Sequence, residues 1–283
     1  MTGVPLARLI AFVAEDAPFG DVTSDAVLDD RICTAALRFR ETGIAAGLAE
    51  AAALFAHYGV VATLCASDGD RIEAGATVLA LEGSVRGVLL VERTALNLVG
   101  RMSGIATATA RYVALARRGD RHVRVAATRK TAPGLALLDK KAVLLGGGDP
   151  HRFTLSDGVL IKDNHLALVP IEEAVRRART FSAYKTVEVE VETADEAVRA
   201  ARAGADMVLL DNMTPAEVEE TLEVLASAGL RDRVRVEVSG GITEATIGAY
   251  VDLEIDLVSV GALTHSVRSI DLTFEVSAPQ QAD

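Results

Sequence analysis

The spacing of apolar residues along the first part of the chain predicts a mixed α+β domain. Two segments carry apolar positions three and four residues apart, the period of an amphipathic helix, and they span 4–15 and 47–58. Residues 91–118 follow the same period, with a predicted break at 102–104 where Ser and Gly come together. Residues 68–83 are typical of short strands separated by turns. Together these elements predict a sandwich-like N-terminal domain.

After about residue 120 the pattern changes to short β-branched runs that alternate with amphipathic segments. The runs span 123–130, 158–165, 186–193, 206–212, 234–241 and 256–261, and the predicted helices span 170–180, 194–203, 215–228 and 243–250. Alternating strands and helices favour parallel pairing with right-handed crossovers. We therefore predict a β/α barrel of about six to seven parallel strands.

One more strand-like run, at 269–276, follows the predicted barrel and is expected to return to the N-terminal domain. The predicted division is thus an N-terminal α+β domain of residues 1–105, joined by 266–283, and a barrel domain of residues 106–265.

Polar residues fall at the C-terminal ends of the barrel runs. Most runs are apolar or alternating until their last positions, which then supply Arg-Lys, Lys-Asp-Asn-His, Asp-Asn, Ser-Gly-Gly or Gly. In β/α barrels the ligand site lies at the C-terminal ends of the strands. Six such ends predict one pocket.

Charge and composition narrow the type of ligand. The chain of 283 residues has a net charge of -11, yet cations concentrate between 129 and 165, on both sides of the glycines at 146–148. Glycine lets the backbone approach a ligand closely. This combination predicts a small, multiply anionic ligand and argues against nucleic acid, which needs a wide basic face.

Cysteine content and hydropathy set limits on where the protein works. Cys33 and Cys65 are too few for a disulfide framework and neither lies in a metal-ligand pattern. No run of about 18 apolar residues occurs that would predict a membrane span. We expect a cytoplasmic protein with no membrane partner.

Alternating valine and glutamate residues at 187–192 place three carboxylates on one face of a predicted strand. One interpretation is an edge strand with a solvated acidic face. The other is a barrel strand whose carboxylates point into the interior, where buried charges need partners or a ligand. In the second case Glu190 is a candidate site residue.

Further candidates stand at later strand ends. Asp211 either belongs to an ordinary Asx turn or binds ribose hydroxyls or Mg²⁺, which prefers carboxylate and phosphate oxygens. The glycine-rich ends either make tight turns or lead into helix N-termini that bind phosphate. They comprise Ser239, Gly240, Gly241, Gly261 and Ala262.

The clustered cations could each be a surface residue. Together they could complement two adjacent carboxylates, since the arginine fork pairs with a carboxylate through two bonds. The candidates are Arg129, Lys130, His151, Arg152 and Lys162.

The ordered motifs TRKTAPG, GGGDPHR, LIKDNH, VEVEVE, LLDN, VSGGI and VGALTHS resemble those of the quinolinate phosphoribosyltransferase family. EDAPFGDVTS and VERTALNLVGRMSGIAT match too, so the resemblance covers nearly the whole chain. It implies a type II phosphoribosyltransferase fold. It also implies that quinolinate and phosphoribosyl pyrophosphate react, with Mg²⁺, to give nicotinate mononucleotide, pyrophosphate and CO₂ in NAD biosynthesis.

The resemblance also implies roles for individual residues. Arg129, His151 and Arg152 would hold the quinolinate carboxylates, and Lys130 and Lys162 would lie between the ring and the pyrophosphate. Glu190 and Asp211 would bind the ribose and Mg²⁺ side, and the glycine-rich strand ends would hold the 5′-phosphate. Arg93 resembles an arginine that a dimer of this family inserts into the neighbouring subunit's site, which implies a homodimer or a higher homo-oligomer.

Two alternative functions remain open at this point. One is the molybdenum-transport-associated paralogue of the same fold, which we expect to lack the Lys-Asp-Asn-His pattern found at 162–165. The other is a non-catalytic phosphosugar-binding protein. The presence of both cations and carboxylates at the predicted pocket argues against a binding function alone.

Overall fold

The computed structural model describes residues 4–119 and 122–278. The chain folds into two compact units. Unit 1 comprises residues 1–108, 137–146 and 267–283, and unit 2 comprises residues 109–136 and 147–266. Residues 137–146 lie inside the range expected for the barrel domain but group with unit 1. The terminal residues 1–3 and 279–283 lie outside the described residues.

Unit 1 contains a four-stranded antiparallel sheet in the order β12-β1-β5-β3 and a separate two-stranded pair of β2 with β4. Its elements are α1 (Leu6–Asp16), α2 (Val22–Val27), β1 (Ile32–Phe39), β2 (Gly43–Ile44), α3 (Leu48–His57), β3 (Val61–Leu64), β4 (Arg71–Ile72), β5 (Thr77–Ser84), α4 (Val85–Ala116), α5 (Ala136–Leu145) and β12 (Leu272–Ser277). The unit boundaries fall within α4 and at the start of α5. The predicted return of the C-terminal run is confirmed, because β12 pairs with β1.

The predicted break at 102–104 is wrong, because α4 is continuous from Val85 to Ala116. Small residues occur there because unit 1 packs another segment against the helix. The Ser103 hydroxyl accepts a hydrogen bond from the Ala46 amide at 3.0 Å, and a Cβ on Gly104 would lie 2.1 Å from the Arg268 carbonyl oxygen. Serine and glycine mark a close contact here, not a helix end.

Unit 2 contains six parallel strands in the order β6-β11-β10-β9-β8-β7, which confirms the expected α/β barrel-like fold at the lower strand count. Its elements are β6 (Arg124–Ala126), β7 (Val159–Ile161), α6 (Asp163–Leu166), α7 (Ile171–Phe181), β8 (Val187–Val191), α8 (Ala194–Ala203), β9 (Met207–Asp211), α9 (Pro215–Ser227), β10 (Arg235–Ser239), β11 (Leu257–Ser259) and α10 (Ala262–His265). Each of the six predicted runs contains one strand. Within the described ranges no ladder joins β6 to β7.

The two faces of these strands differ in chemistry. Along β8 the valines are buried, with Val187 and Val189 at 0% exposure, and α7 and α8 pack against this strand. The glutamates alternate with the valines and therefore point to the other face. This observation favours the barrel-interior interpretation of the acidic run over the solvated edge strand.

The predicted helix at 243–250 is wrong. Among the residues described there, only a single 3-10 turn forms, at Ile247–Ala249. The Thr243 hydroxyl accepts from the Thr246 amide at 3.2 Å, and the Thr246 hydroxyl accepts from the Thr243 amide at 2.9 Å. These side-chain bonds close a local turn in place of a continuing helix.

No helix in the described part of the chain is long and apolar enough to cross a membrane.

Candidate active site

Eight of the predicted site residues line one cavity of about 360 Å³ in unit 2. They come from the C-terminal ends of strands β7 to β10 and from the segments that follow β6 and Gly148. Arg152 and Glu190 are both among them, as a single pocket with opposed charges requires. The eight are Arg129, Lys130, His151, Arg152, Lys162, Glu190, Asp211 and Ser239.

An ion pair joins the cationic and acidic sides of this cavity. The Lys162 ammonium donates a hydrogen bond to Oε2 of Glu190, and the Glu190 side chain is only 14% exposed. The Lys162 amide donates to Nδ1 of His165 at 3.0 Å, which fixes the start of α6. Glu190 is thus held by a cation that an anionic ligand could also contact.

Strand pairing places the remaining acidic residue beside the first glycine-rich strand end. Ser239 of β10 is the register partner of Asp211 of β9, and both residues line the cavity. Oδ2 of Asp211 accepts a bond from Nδ2 of Asn212 at 2.7 Å, so this side chain also takes part in the local Asx structure. The turn interpretation and the cavity interpretation therefore both apply.

Arg152 is a partly buried cation of the cavity. Burial, followed by the charge of Arg129, lowers the pKa of the Arg152 guanidinium. Its Nη1 donates to the Gly158 carbonyl at 3.2 Å, and its buried Nε has no hydrogen-bond partner among the described residues. Partial burial of Arg152 and the like charge of the exposed Arg129 beside it both favour the binding of an anion.

Lys130 is held in place through its backbone. The Thr264 hydroxyl of α10 donates to the Lys130 carbonyl at 2.9 Å. A Cβ on Gly261 would lie 3.4 Å from Cδ of Lys130 and 3.2 Å from the His265 ring. Gly261 therefore makes room for the lysine and does not itself line the cavity.

The glycine-rich strand ends only partly follow the prediction. Gly240 has φ +101° and a Cβ there would lie 2.3 Å from Oδ1 of Asn212, so the local backbone alone requires glycine. Among the described residues, the first helical element after Gly241 is the 3-10 turn at Ile247–Ala249, and the α-helix that follows Gly261, α10, has only four residues. The expectation that both ends lead into helix N-termini is wrong after Gly241 and holds after Gly261 only for this short helix, and Gly240, Gly241, Gly261 and Ala262 are not among the residues that line the cavity.

His151, which lines the cavity, also belongs to a buried cluster with Glu188 and Glu237. The His151 Nε2 atom is 3.4 Å from Oε2 of Glu188 and 3.6 Å from Oε1 of Glu237. Burial, followed by the charge of Glu188, raises the pKa of Glu237 to about 7. Carboxylates buried this deeply are costly unless they are paired or bind a ligand.

Sequence models of one family match nearly the whole chain. The N-terminal domain of quinolinate phosphoribosyl transferase matches residues 21–103 and its C-terminal domain matches residues 105–275. The chain belongs to the quinolinate phosphoribosyltransferase family.

Curated relatives of this family of enzymes agree over most of their length. The chain is 46% identical to a probable carboxylating nicotinate-nucleotide pyrophosphorylase of Methanothermobacter thermautotrophicus, covering 93% of this chain and 96% of that protein. It is 39% identical to the human carboxylating nicotinate-nucleotide pyrophosphorylase, covering 88% of this chain and 84% of that protein.

A solved structure agrees as well. The nicotinate-nucleotide pyrophosphorylase from Francisella tularensis superposes with a TM-score of 0.89 at 36% identity, covering 97% of this chain and 98% of that chain. The predicted fold and enzyme class of this phosphoribosyltransferase are thereby confirmed.

Glu188 and Glu237 are site residues that the sequence pattern does not single out. Glu188 is one of three glutamates in the acidic run of β8, and Glu237 is the one carboxylate in the apolar run VRVEVSGG. A carboxylate in the middle of an otherwise apolar, buried strand segment is the signal that could have found Glu237.

Arg93 lies in unit 1, on α4, and its side chain is exposed.

Proposed function

We propose that this family member transfers the phosphoribosyl group of phosphoribosyl pyrophosphate to quinolinate and releases pyrophosphate, CO₂ and nicotinate mononucleotide. The observation that carries the proposal is the single cavity whose lining contains the cations Arg129, Lys130 and Arg152 together with the carboxylates of Glu190 and Asp211. A pyridine with two adjacent carboxylates is complementary to the cations, and an activated sugar is complementary to the acidic side.

The cationic side would bind the two carboxylates of quinolinate. Arginine guanidinium groups pair with carboxylates through two parallel bonds, and the desolvated Arg152 strengthens such a bond because water competes less. His151 lies beside Arg152 in the same lining. Rigid clamping of both carboxylates would align the ring nitrogen with the anomeric carbon, which lowers the entropic part of the barrier.

The acidic side would stabilise the reacting sugar. Departure of pyrophosphate leaves positive charge at the anomeric carbon, and the carboxylates of Glu190 and Asp211 are available to stabilise that charge. Lys130 and Lys162 would neutralise the pyrophosphate. No side-chain nucleophile is required, and a cation near the ring favours loss of the adjacent carboxylate as CO₂.

Mg²⁺ fits the same acidic side. Glu190 and Asp211 supply carboxylate oxygens, the donors that Mg²⁺ prefers together with substrate phosphates. Bound there with phosphoribosyl pyrophosphate, the ion would supply additional charge neutralisation for the leaving group. Ser239, which lines the cavity, would contact the 5′-phosphate.

The reaction is tested by incubating the protein with Mg²⁺, phosphoribosyl pyrophosphate and quinolinate labelled in the carboxylate adjacent to the ring nitrogen. We expect labelled CO₂ and nicotinate mononucleotide in equal amounts. Nicotinate replaces quinolinate in the control reaction. Turnover with nicotinate alone would reassign the substrate, and tight binding of both substrates without turnover would favour a binding protein.

The proposed assembly is a homodimer, or a higher homo-oligomer, in which Arg93 of one subunit completes the cavity of its neighbour. Its support is the exposed position of Arg93 on α4 and its place in the motif ERTALN. Mixing inactive Arg93→Ala protein with inactive Lys130→Ala protein should restore part of the activity, because some mixed sites have both residues. No restoration after confirmed subunit exchange would contradict a shared site.

A further inference from the structure

His151, Glu188 and Glu237 form a compact set of metal-ligand types inside unit 2. One ligand atom of each residue lies within 4.8 Å of the others. Glu188 is on β8 and Glu237 is on β10, so the sheet fixes two of the three positions. His151 adopts φ 55°, a left-handed conformation that is uncommon for a residue with a Cβ and that the surroundings must maintain.

The two carboxylates of this cluster are buried and incompletely satisfied. The Glu237 side chain is 0% exposed and the Glu188 side chain is 6% exposed. The Ser259 hydroxyl donates to Oε1 of Glu237, but Oε2 of Glu237 and Oε1 of Glu188 receive no hydrogen bond from a donor group among the described residues, and the two carboxyl groups lie within hydrogen-bond reach of each other. Buried polar atoms in native proteins are nearly always satisfied, so each of these oxygens calls for a ligand.

The cluster lies at cavities through which an ion can reach it. His151 and Arg152 line both the cavity of about 360 Å³ and a second cavity of about 1020 Å³, which Glu188 and Glu237 also line. The second cavity reaches exposed residues at the N-terminal ends of the strands, including Arg124 and Arg235. A hydrated ion could therefore reach the cluster from either cavity.

We propose that His151, Glu188 and Glu237 bind a divalent transition-metal ion, with Zn²⁺ as the best match. Zinc bonds of about 2.0–2.2 Å in a tetrahedral site place ligand atoms roughly 3.4 Å apart. Nε2 of His151 is 3.4 Å from Oε2 of Glu188 and 3.6 Å from Oε1 of Glu237, separations that agree with that spacing, and the other oxygen of each carboxylate is the one that lacks a donor among the described residues.

Charge and ligand type support this choice of ion. A divalent ion with a neutral imidazole balances the two carboxylates, which removes the cost of burying them. Imidazole suits zinc and related transition metals, whereas Mg²⁺ prefers oxygen ligands and water. The cluster is thus distinct from the proposed Mg²⁺ position at Glu190 and Asp211. Three protein ligands leave a fourth position for water or for an anionic ligand in the cavity.

Zinc content measures the site without any substrate. The full chain, stripped with a chelator and dialysed against micromolar Zn²⁺, should retain one zinc per chain by elemental analysis. Glu237→Gln and Glu188→Gln preserve side-chain shape and should each weaken zinc binding by more than about 100-fold, beyond the loss typical of an outer-shell partner. The matched control Glu190→Gln should bind zinc like the wild type.

A spectroscopic measurement on the unaltered protein covers the case in which a variant fails to fold. Co²⁺ in the stripped wild type should give the intense visible absorption of a four-coordinate site, and Zn²⁺ should abolish that absorption. Absence of stoichiometric zinc in the wild type would overturn the proposal in favour of two carboxylates that share a proton. Equal zinc retention in Glu237→Gln would overturn it in favour of adventitious binding elsewhere. Neither result affects the proposed transferase reaction.

Discussion

Two regions of the molecule contain buried charged side chains, and these regions differ in how completely the side chains are hydrogen-bonded. In unit 1 the buried Asp139 accepts two bonds from Arg101, at 2.8 Å and 2.9 Å, and the buried Glu50 accepts two from Lys141, each at 2.8 Å. In the unit 2 cavities the atoms without a partner among the described residues include Nε of Arg152 and one oxygen each of Glu188 and Glu237.

The difference indicates what each set of charges does. A buried pair that is fully bonded inside the protein destabilises the fold when one partner is removed, and it has nothing left to offer a ligand. A buried charge that lacks part of its hydrogen bonding is costly in the unliganded protein, and binding can recover that cost. The Arg101–Asp139 and Lys141–Glu50 pairs of unit 1 therefore serve the structure, whereas the partly bonded charges of the unit 2 cavities are available to ligands.

The largest expected effect separates activity from stability. Lys162→Ala should lower kcat/KM for the proposed reaction by about 10²–10³-fold, the loss typical of removing one group that stabilises transition-state charge. The matched control is Lys185→Ala, because the Lys185 ammonium instead donates to the Ser156 carbonyl. Steady-state kinetics measure both variants. Equal losses in the two variants would show that Lys162 has no special role in the cavity.

In unit 1 the corresponding substitution, Asp139→Asn, should lower the stability of the fold. Asp139→Asn leaves Arg101 without its carboxylate partner and should lower the free energy of unfolding by about 3 kcal/mol, near the low end for a broken buried pair. We choose the low end because Arg101 keeps 24% of its side chain exposed. Chemical denaturation gives the value. An unchanged midpoint would mean that this pair does not stabilise unit 1.

The sequence predicts much of the charged site in unit 2 but does not predict the buried ion pairs of unit 1. The barrel strands repeat a simple pattern, apolar residues followed by polar ones, so the side chains at Lys162, Glu190 and Asp211 could be assigned to one pocket. Unit 1 has no such repeat. Its pair of Arg101 and Asp139 joins residues 38 positions apart, and nothing in the local pattern of either residue indicates the other.

The two errors in helix prediction have different physical causes. The intrinsic preferences of Ser103 and Gly104 favour a helix break, yet a distant segment ending at Arg268 determines why small residues are needed. The turn at Thr243 and Thr246 depends on side-chain bonds that compete with a helix. Contacts over long sequence distances and local competition of this kind decide the structure where periodicity alone predicts it wrongly.

Glu237→Gln, the isosteric substitution in unit 2, should raise the free energy of unfolding at high pH, whereas Asp139→Asn should lower it. Because the pKa of Glu237 is raised from 4.5 to about 7, the folded chain keeps a proton that the unfolded chain loses first. The free energy of unfolding of the metal-stripped protein should therefore fall as pH rises from 4.5 through 7.

Glu237→Gln cannot ionise and should flatten this part of the pH profile. With chelator present, the variant should match the wild type at pH 4 and exceed it at pH 8. Denaturation at both pH values measures the difference. A variant that is less stable than the wild type at pH 8 would show that the ionised Glu237 is already well satisfied, which would place it with the charges of unit 1.

The smallest effect tests whether bonding distance alone explains the contrast. Arg111 and Glu244 in unit 2 approach to 2.9 Å, as close as Arg101 and Asp139, but their side chains are 55% and 44% exposed. Water screens such a pair, so Arg111→Gln should change the free energy of unfolding by less than about 1 kcal/mol. A loss as large as that of Asp139→Asn would mean that burial does not set the value of a charge pair here. The distinction between structural charges and charges available to ligands would then need another physical basis, because it depends on the cost of removing charge from water.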